Sequence, residues 1–375
     1  LRKEGLPEDE VLRSLSEMRN LDLDYDRIFS SMCTRPHPIA LKAHELFQET
    51  NLGDPGLFPG SAKLETMAVQ MMADLLGCSD AVGYLSTGGT ESNIQAIRAA
   101  RNTCGIEGGN IVVPKSAHFS FDKIADLLRL EVRKADLDED LKVDLGSVEK
   151  LIDENTVSIV GIAGTTEFGQ VDPIDSLGKL AQDHGLHLHV DAAFGGFVLP
   201  FLKGDWKWDF RVEGVTSITI DPHKMGMSTI PGGGLLFRYS SDMDGLEAYA
   251  PYLTVARQKA LTGTRSGASA AAIWAVMTHL GQVGYSKEVA RCMELSRRMV
   301  AGARDFGIEP VIEPVMNVVT LRVDSPEDVR DALIKRRWRV STARDPKAIR
   351  LILMPHATIE NVDLFLEDLK DVLKR

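Results

Sequence analysis

The chain has 375 residues, of which 44% are hydrophobic, 26% charged and 6% aromatic, and its formal net charge is −11. This is a globular composition with apolar material for one large core and a smaller second one. No apolar run approaches the ~18 residues of a membrane span, and Leu1-Arg2-Lys3-Glu4 at the start lacks a secretory stretch, so a cytoplasmic protein is expected.

The acidic excess disfavours a nucleic-acid partner. The nearest basic run, Lys335-Arg336-Arg337, reads as a solvated helix face. Cys33, Cys78, Cys104 and Cys292 form no C-x-x-C pair and read as reduced thiols.

In chain order, helical spacing comes first, at Val11, Leu12, Leu15 and Met18 and again at Ala40, Leu41, His44 and Phe47. The stretch 51–60 then holds three glycines and two prolines, which predicts irregular chain, while Leu52, Leu57 and Phe58 predict that it is covered. From Ala62 to Arg238, apolar β-rich runs at 81–85, 110–114, 157–163, 186–190, 215–220 and 234–238 alternate with helical patterns such as 91–102 and 175–184. Such alternation predicts an α/β fold, a mostly parallel central sheet with helices on both faces. Ligands of these sheets sit at the carboxyl ends of the strands.

After a loop at 239–265, an alanine-rich helix at 267–280 and another at 286–304 meet near Gly281 and Gly284. A strand near 315–323, a helix opened by Ser325-Pro326, the strand Ile349–Leu353 and a last helix capped by Thr358 predict a small α+β unit. The expected division is an N-terminal helical segment and interface loop (1–60), a large domain (61–265), and connecting helices with a small C-terminal domain (266–375).

Four segments that follow predicted strands carry the chemistry. In Ser86-Thr87-Gly88-Gly89-Thr90-Glu91-Ser92-Asn93, two glycines before a helix let the backbone approach an anion, and the first-turn N–H groups with the Thr90 hydroxyl can hold a phosphate. His118 follows the strand Ile111-Val112-Val113; Asp191 ends an alternating strand ahead of Ala193 and two glycines. Lys224 ends Asp221-Pro222-His223-Lys224 directly after a buried β-run, where desolvation favours the neutral, nucleophilic amine. Each segment alone has a plain structural reading: a turn, a core histidine, a helix cap, a surface lysine.

Pyridoxal 5′-phosphate (PLP) explains all four together. It needs a lysine for covalent attachment, an anion site for its phosphate, an acid beside the pyridine nitrogen and a flat residue on its face. The segments Ser86–Asn93, His189–Gly196 and Asp221–Lys224 resemble those of the group II PLP-dependent amino-acid decarboxylases. The wider pattern is similar to the archaeal L-tyrosine/L-aspartate decarboxylases of methanofuran and β-alanine (coenzyme A) biosynthesis. It includes Ser31-Met32-Cys33, Asn51–Phe58, Ala117-His118-Phe119-Ser120 and Met354-Pro355-His356, and covers nearly the whole chain.

The resemblance implies a fold-type I PLP-dependent transferase fold, a homodimer and decarboxylation of an L-amino acid. It implies that Lys224 carries the cofactor, that Asp191 faces the pyridine nitrogen, and that His118 and Ala193 cover opposite ring faces. Gly88, Gly89, Thr90 and His223 would hold the phosphate, Thr166 would lie near the ring oxygen or the substrate, and Arg350 matches an arginine that some members use for a substrate carboxylate. Asp221 departs from the asparagine of many relatives. A carboxylate there repels a phosphate unless it is paired, so a structural role comes first. Tyr252, Lys224 and His118 are candidates for returning a proton to Cα, with Tyr252 equally readable as a structural loop aromatic.

Three rivals compete. His187, His189 and Asp191 alternate on one strand face and could bind a metal, which would leave the glycine turn and Asp221–Lys224 unexplained. A PLP-dependent carbon–carbon lyase acting on a phosphorylated long-chain amino alcohol shares the His223-Lys224 pair. A non-catalytic scaffold would have no reason to keep Lys224, Asp191 and His118 together.

Overall fold

The computed structural model describes residues 1–106 and 108–374 and is built on a seven-stranded sheet. Its strands are β1 (Val82–Ser86), β2 (Asn110–Pro114), β3 (Glu131–Ala135), β4 (Thr156–Ile162), β5 (His187–Asp191), β6 (Val215–Ile220) and β7 (Gly233–Phe237), in the order β1-β7-β6-β5-β4-β2-β3. β7 runs antiparallel to both its neighbours and the remaining pairings are parallel. Every residue of β2, β4 and β7 is buried, as their near-continuous apolar runs require in a sheet covered on both faces.

The helices are α1 (Glu8–Arg19), α2 (Pro38–Phe47), α3 (Pro59–Leu75), α4 (Gly89–Cys104), α5 (Ser120–Leu128), α6 (Leu145–Leu151), α7 (Ile174–His184), α8 (Gly267–Arg304), α9 (Pro326–Lys335) and α10 (Ile359–Leu373). α7 stops where the expected glycine cap puts Gly185 at φ 63°. The two helices expected on either side of Gly281 form the single element α8, broken at that glycine by φ 55°, ψ −171°. Among the described residues no helix is long and apolar enough to cross a membrane.

A short hairpin, β8 (Ala248–Tyr249) and β9 (Arg257–Gln258), leads to α8. The chain closes with an antiparallel sheet of β10 (Val318–Arg322), β11 (Ser341–Arg344) and β12 (Lys347–Ile352), β12 in the middle. Its core gathers Leu321, Leu333, Trp338, Ile349, Leu351 and Phe365 around a residue from far upstream, Phe29. Phe29 stacks on Trp338 at 5.3 Å and meets Phe365 edge-on at 5.4 Å. Its N–H donates to the Arg339 carbonyl (2.8 Å), and its carbonyl accepts from Ile352 N–H (2.7 Å).

Several elements depart from the pattern read in the sequence. β3 carries Glu131, Arg133 and Lys134 and so lacks an apolar run; it is an edge strand, where one side faces solvent. Helix α3 starts at Pro59 inside the glycine- and proline-rich stretch, because proline at a first helical position sacrifices no hydrogen bond. Within one chain the covering of 51–60 is partial: Leu52 is 3% exposed but Leu57 66%. α1 buries none of its residues, and its Leu12, Leu15 and Met18 face solvent in the single chain. Arg336 of the basic run is held by Asp368 and Asp371.

Candidate active site

The loops leaving the carboxyl ends of β1, β2, β4, β5 and β6 border one cleft of roughly 370 Å3. Gly88, Gly89 and Thr90 enter it after β1, His118 after β2, Thr166 after β4, Asp191 and Ala193 from the end of β5, and Asp221, His223 and Lys224 after β6. Met32 adds a wall from the N-terminal segment.

The glycine turn is tight for a physical reason. Gly88 sits at φ 151°, and a Cβ there would lie 2.9 Å from the His223 ring; a Cβ on Gly89 would lie 3.0 Å from Asp221 Oδ2 and 3.2 Å from Ala193 Cβ. Glu91 braces the turn, its Oε2 accepting from Thr87 N–H (2.8 Å) and the Thr87 hydroxyl (2.7 Å). The N–H groups of Gly89 and Thr90 open α4 and have no intrahelical acceptor, which leaves them to an anion at the positive end of the helix.

Asp191 is 7% exposed, and its carboxylate accepts from Ala193 N–H through Oδ1 (3.1 Å) and from Asn93 Nδ2 through Oδ2 (2.9 Å). His118 accepts from Ser120 N–H at Nδ1 (3.2 Å), so Nε2 carries the proton of the neutral ring. Burial pushes its pKa down, and Lys224 acts the same way, while the charge of Asp191 opposes both.

After β6, Asp221 is 2% exposed and its Oδ2 lies 3.3 Å from Lys224 Nζ and 3.6 Å from His223 Nε2. Asp221 Oδ1 has no partner among the described residues. His223 accepts from Gly232 N–H at Nδ1 (3.2 Å), which keeps its Nε2–H for the cleft side, and burial lowers its pKa.

Two expected residues do not border the cleft. Arg350 lies on β12 at 7% exposure; Nη1 donates to the Ser341 hydroxyl (2.8 Å), while Nε is without a partner among the described residues. Desolvation drags its pKa to about 10, against the raising influence of Glu167. Burial in turn pushes the Glu167 carboxyl up, and Arg350 and Arg344 oppose that shift. Ile352, on the same strand face as Arg350, packs in the large core, whereas Ile349, Leu351 and Leu353 fill the small one. Arg350 therefore looks toward the large unit, next to the segment that carries Thr166. Tyr252 lies in the β8–β9 hairpin at 84% exposure and is not brought to the cleft within one chain.

Among the described residues, the alternating His187, His189 and Asp191 do not form a group able to hold a metal ion. Both ring nitrogens of His189 are engaged inside the protein, with Ser217 (2.9 Å) and Asn93 (3.0 Å). Asn93 is the residue that sequence reasoning passed over, since it appears there only as the end of the glycine segment.

The set fits a phosphorylated pyridine aldehyde. The glycine cradle and α4 terminus suit the phosphate, Lys224 the carbonyl, and Asp191 the ring nitrogen. A family model described as the pyridoxal-dependent decarboxylase conserved domain matches residues 49–323. The chain is 67% identical over 371 residues to the "probable L-tyrosine/L-aspartate decarboxylase" of Methanothrix thermoacetophila, covering 99% of this chain and 97% of that relative. It is 52% identical to the "probable L-aspartate decarboxylase" of Archaeoglobus fulgidus, covering 98% and 100% respectively. Among solved structures, the sphingosine-1-phosphate lyase of Burkholderia pseudomallei superposes with a TM-score of 0.91 at 29% identity, covering 100% of this chain and 92% of that one. The cleft and these likenesses agree, and the chain belongs to the pyridoxal-dependent decarboxylase family, whose cofactor is pyridoxal 5′-phosphate.

Proposed function

We propose that this enzyme removes the α-carboxylate of L-tyrosine, giving tyramine, of L-aspartate, giving β-alanine, or of both. The observation that carries the substrate class is the 67% identity, end to end, with a relative named for both amino acids. Tyramine and β-alanine would then enter methanofuran and coenzyme A synthesis.

PLP, when bound, supplies a covalent handle for the substrate amine and an electron sink for the bond that breaks. The protein's part falls to named residues. Lys224 Nζ gives the attachment, and Lys224, His118 Nε2–H and, across a subunit interface, Tyr252 are the candidates for returning a proton to Cα. Asp191 keeps a proton on the ring nitrogen by accepting it in a hydrogen bond. Gly88, Gly89, Thr90 and His223 hold the phosphate, His118 and Ala193 confine the ring from either side, and Thr166 stands at the rim. Arg350 would take a substrate carboxylate only if the substrate extends past the cleft wall at the Thr166 segment, where its Nε, without a partner among the described residues, and its buried charge suit a two-point contact.

The active unit is a homodimer with the cleft at the subunit interface. Exposed apolar residues of α1 and Leu57 support that reading. So does the position of Tyr252, which could serve a cleft only across such an interface.

One observation favours a second reading. A sphingosine-1-phosphate lyase shares the fold at 29% identity, and a carbon–carbon lyase would use the same His223-Lys224 pair. The decarboxylase reading is preferred because relatives named for it reach 52% and 67%. The test is turnover of tyrosine and aspartate by PLP-loaded enzyme. Stoichiometric CO2 with tyramine or β-alanine supports the proposal; aldehyde release from a phosphorylated amino alcohol with no CO2 from either amino acid overturns it.

A further inference from the structure

Behind Asp191 lies a closed chain of buried polar groups drawn from α4, α5, β5 and β6. Asn93 (1% exposed) donates through Nδ2 to Asp191 Oδ2 at 2.9 Å and to the Ser120 hydroxyl at 3.2 Å. Its Oδ1 accepts from the Thr219 hydroxyl at 2.8 Å and faces His189 Nε2 at 3.0 Å. His189 Nδ1 lies 2.9 Å from the Ser217 hydroxyl. Ser120, Thr219, His189 and Ser217 are each at most 3% exposed.

The direction of every proton in this chain follows from one fact. An ionised carboxylate only accepts, so the nitrogen of the Asn93 amide must face Asp191 and its oxygen must face inward. An inward oxygen requires a donor, so His189 carries its proton on Nε2. Its Nδ1 is then an acceptor, filled by the Ser217 hydroxyl. A protonated His189 would add a charge where water cannot reach; burial holds its pKa down at about 4. The amide thus has both ends fixed. Together with Ala193 N–H on Oδ1, it leaves Asp191 little freedom to turn.

We propose that Asn93, oriented by His189 and Thr219, is the positioning residue that sets the angle of the Asp191 carboxylate to the cofactor ring. The proposal rests on Asp191 being the partner of the ring nitrogen. Burying four side chains for a purely structural amide is costly unless all are satisfied. Here the branches from Ser120, Thr219 and His189 meet at Asn93, whose amide nitrogen carries them to Asp191.

The experiment is a double-mutant cycle with two readouts. In PLP-loaded enzyme, Asn93→Ala should lower kcat by about 10- to 100-fold with KM changed less than about threefold, the loss of a donor acting at the reacting centre. In an Asp191→Ala background the same change should cost less than about threefold further. Losses that multiply would overturn the proposal, since Asn93 would then act independently of Asp191. If Asp191→Ala itself costs less than about tenfold, the ring-partner reading is what fails.

The second readout needs no turnover and covers the case in which Asn93→Ala fails to fold. The isosteric Asn93→Asp puts a second carboxyl within hydrogen-bond reach of Asp191, and the pair must share a proton. PLP binding to that apoenzyme, followed by absorbance, should gain a titration that wild type lacks. An unchanged pH profile for binding would overturn the proposal, as would a His189 signal in the 15N spectrum of wild-type apoenzyme that titrates near the ordinary histidine value.

Discussion

Lys224 Nζ lies 3.3 Å from Asp221 Oδ2, a carboxylate that is 2% exposed and, among the described residues, has no other cation as near. The lysine is therefore aimed by its own loop before any cofactor arrives. Lys224→Ala should abolish the visible absorbance of the PLP-loaded protein and reduce turnover to background, because no neighbouring amine can replace the attachment. Near-normal CO2 release by that variant would sink the assignment. Asp221→Asn, which keeps an acceptor beside Lys224, should retain PLP at close to wild-type content.

Asp191→Ala should still bind PLP through Lys224 and the glycine turn but lose most of its activity, since an unprotonated ring is a poor electron sink. The expected fall exceeds tenfold, about 1.4 kcal/mol in barrier. Single-turnover kinetics at saturating PLP would measure it free of any change in cofactor affinity.

Arg350→Lys keeps the charge and removes the planar fork. As a substrate contact, the variant should hold PLP and melt like wild type yet show raised KM for tyrosine and aspartate alike, because both carry an α-carboxylate. A rise confined to aspartate means that Arg350 reads the side-chain carboxylate. A lower melting temperature with unchanged KM for both makes Arg350 structural.

His189 makes acid stability measurable. Its folded pKa, about 4, lies below the ordinary 6.5, so the unfolded chain takes up a proton that the folded chain refuses. Stability from this group is full above pH 6.5 and falls as pH drops, the loss ending near pH 4. The amount is on the order of 3 kcal/mol. Urea melts of wild type and His189→Gln across that window should therefore converge or cross as pH falls; parallel curves would contradict the neutral, buried ring.

The dimer reading concerns α1 and Leu57. Sedimentation at assay concentration should give a two-chain mass, and Leu12→Glu with Leu15→Glu should shift it toward one chain with loss of activity. An active monomer would contradict it.

The sequence made the cleft legible because its residues sit at strand ends marked by apolar runs, and each of β1, β2 and β4–β7 falls within about two residues of its expected place. β3 escaped because an edge strand need not be apolar, and β11 because a four-residue strand has too few turns of its pattern to register. The network behind Asp191 was invisible for another reason. Asn93 and His189 are 96 positions apart, and only the stacking of α4 on β5 and β6 brings them to 3.0 Å. Arg350 shows the reverse: the resemblance that singled it out says nothing of where its strand carries it, and β12 leaves it outside the cleft lining.

The segment from Phe29 to His37 touches three parts of the molecule. Phe29 is wedged between Trp338 and Phe365, Thr34 meets His356 at 2.9 Å, and His37 N–H donates to the carbonyl of Met227, three residues beyond Lys224, at 2.9 Å. Met32, midway along, is a wall of the cleft. This short length of chain is anchored at one end in the C-terminal unit and at the other on the lysine loop. A shortened protein starting after His37 would therefore give up a cleft wall, a contact to the lysine loop and C-terminal packing in one cut.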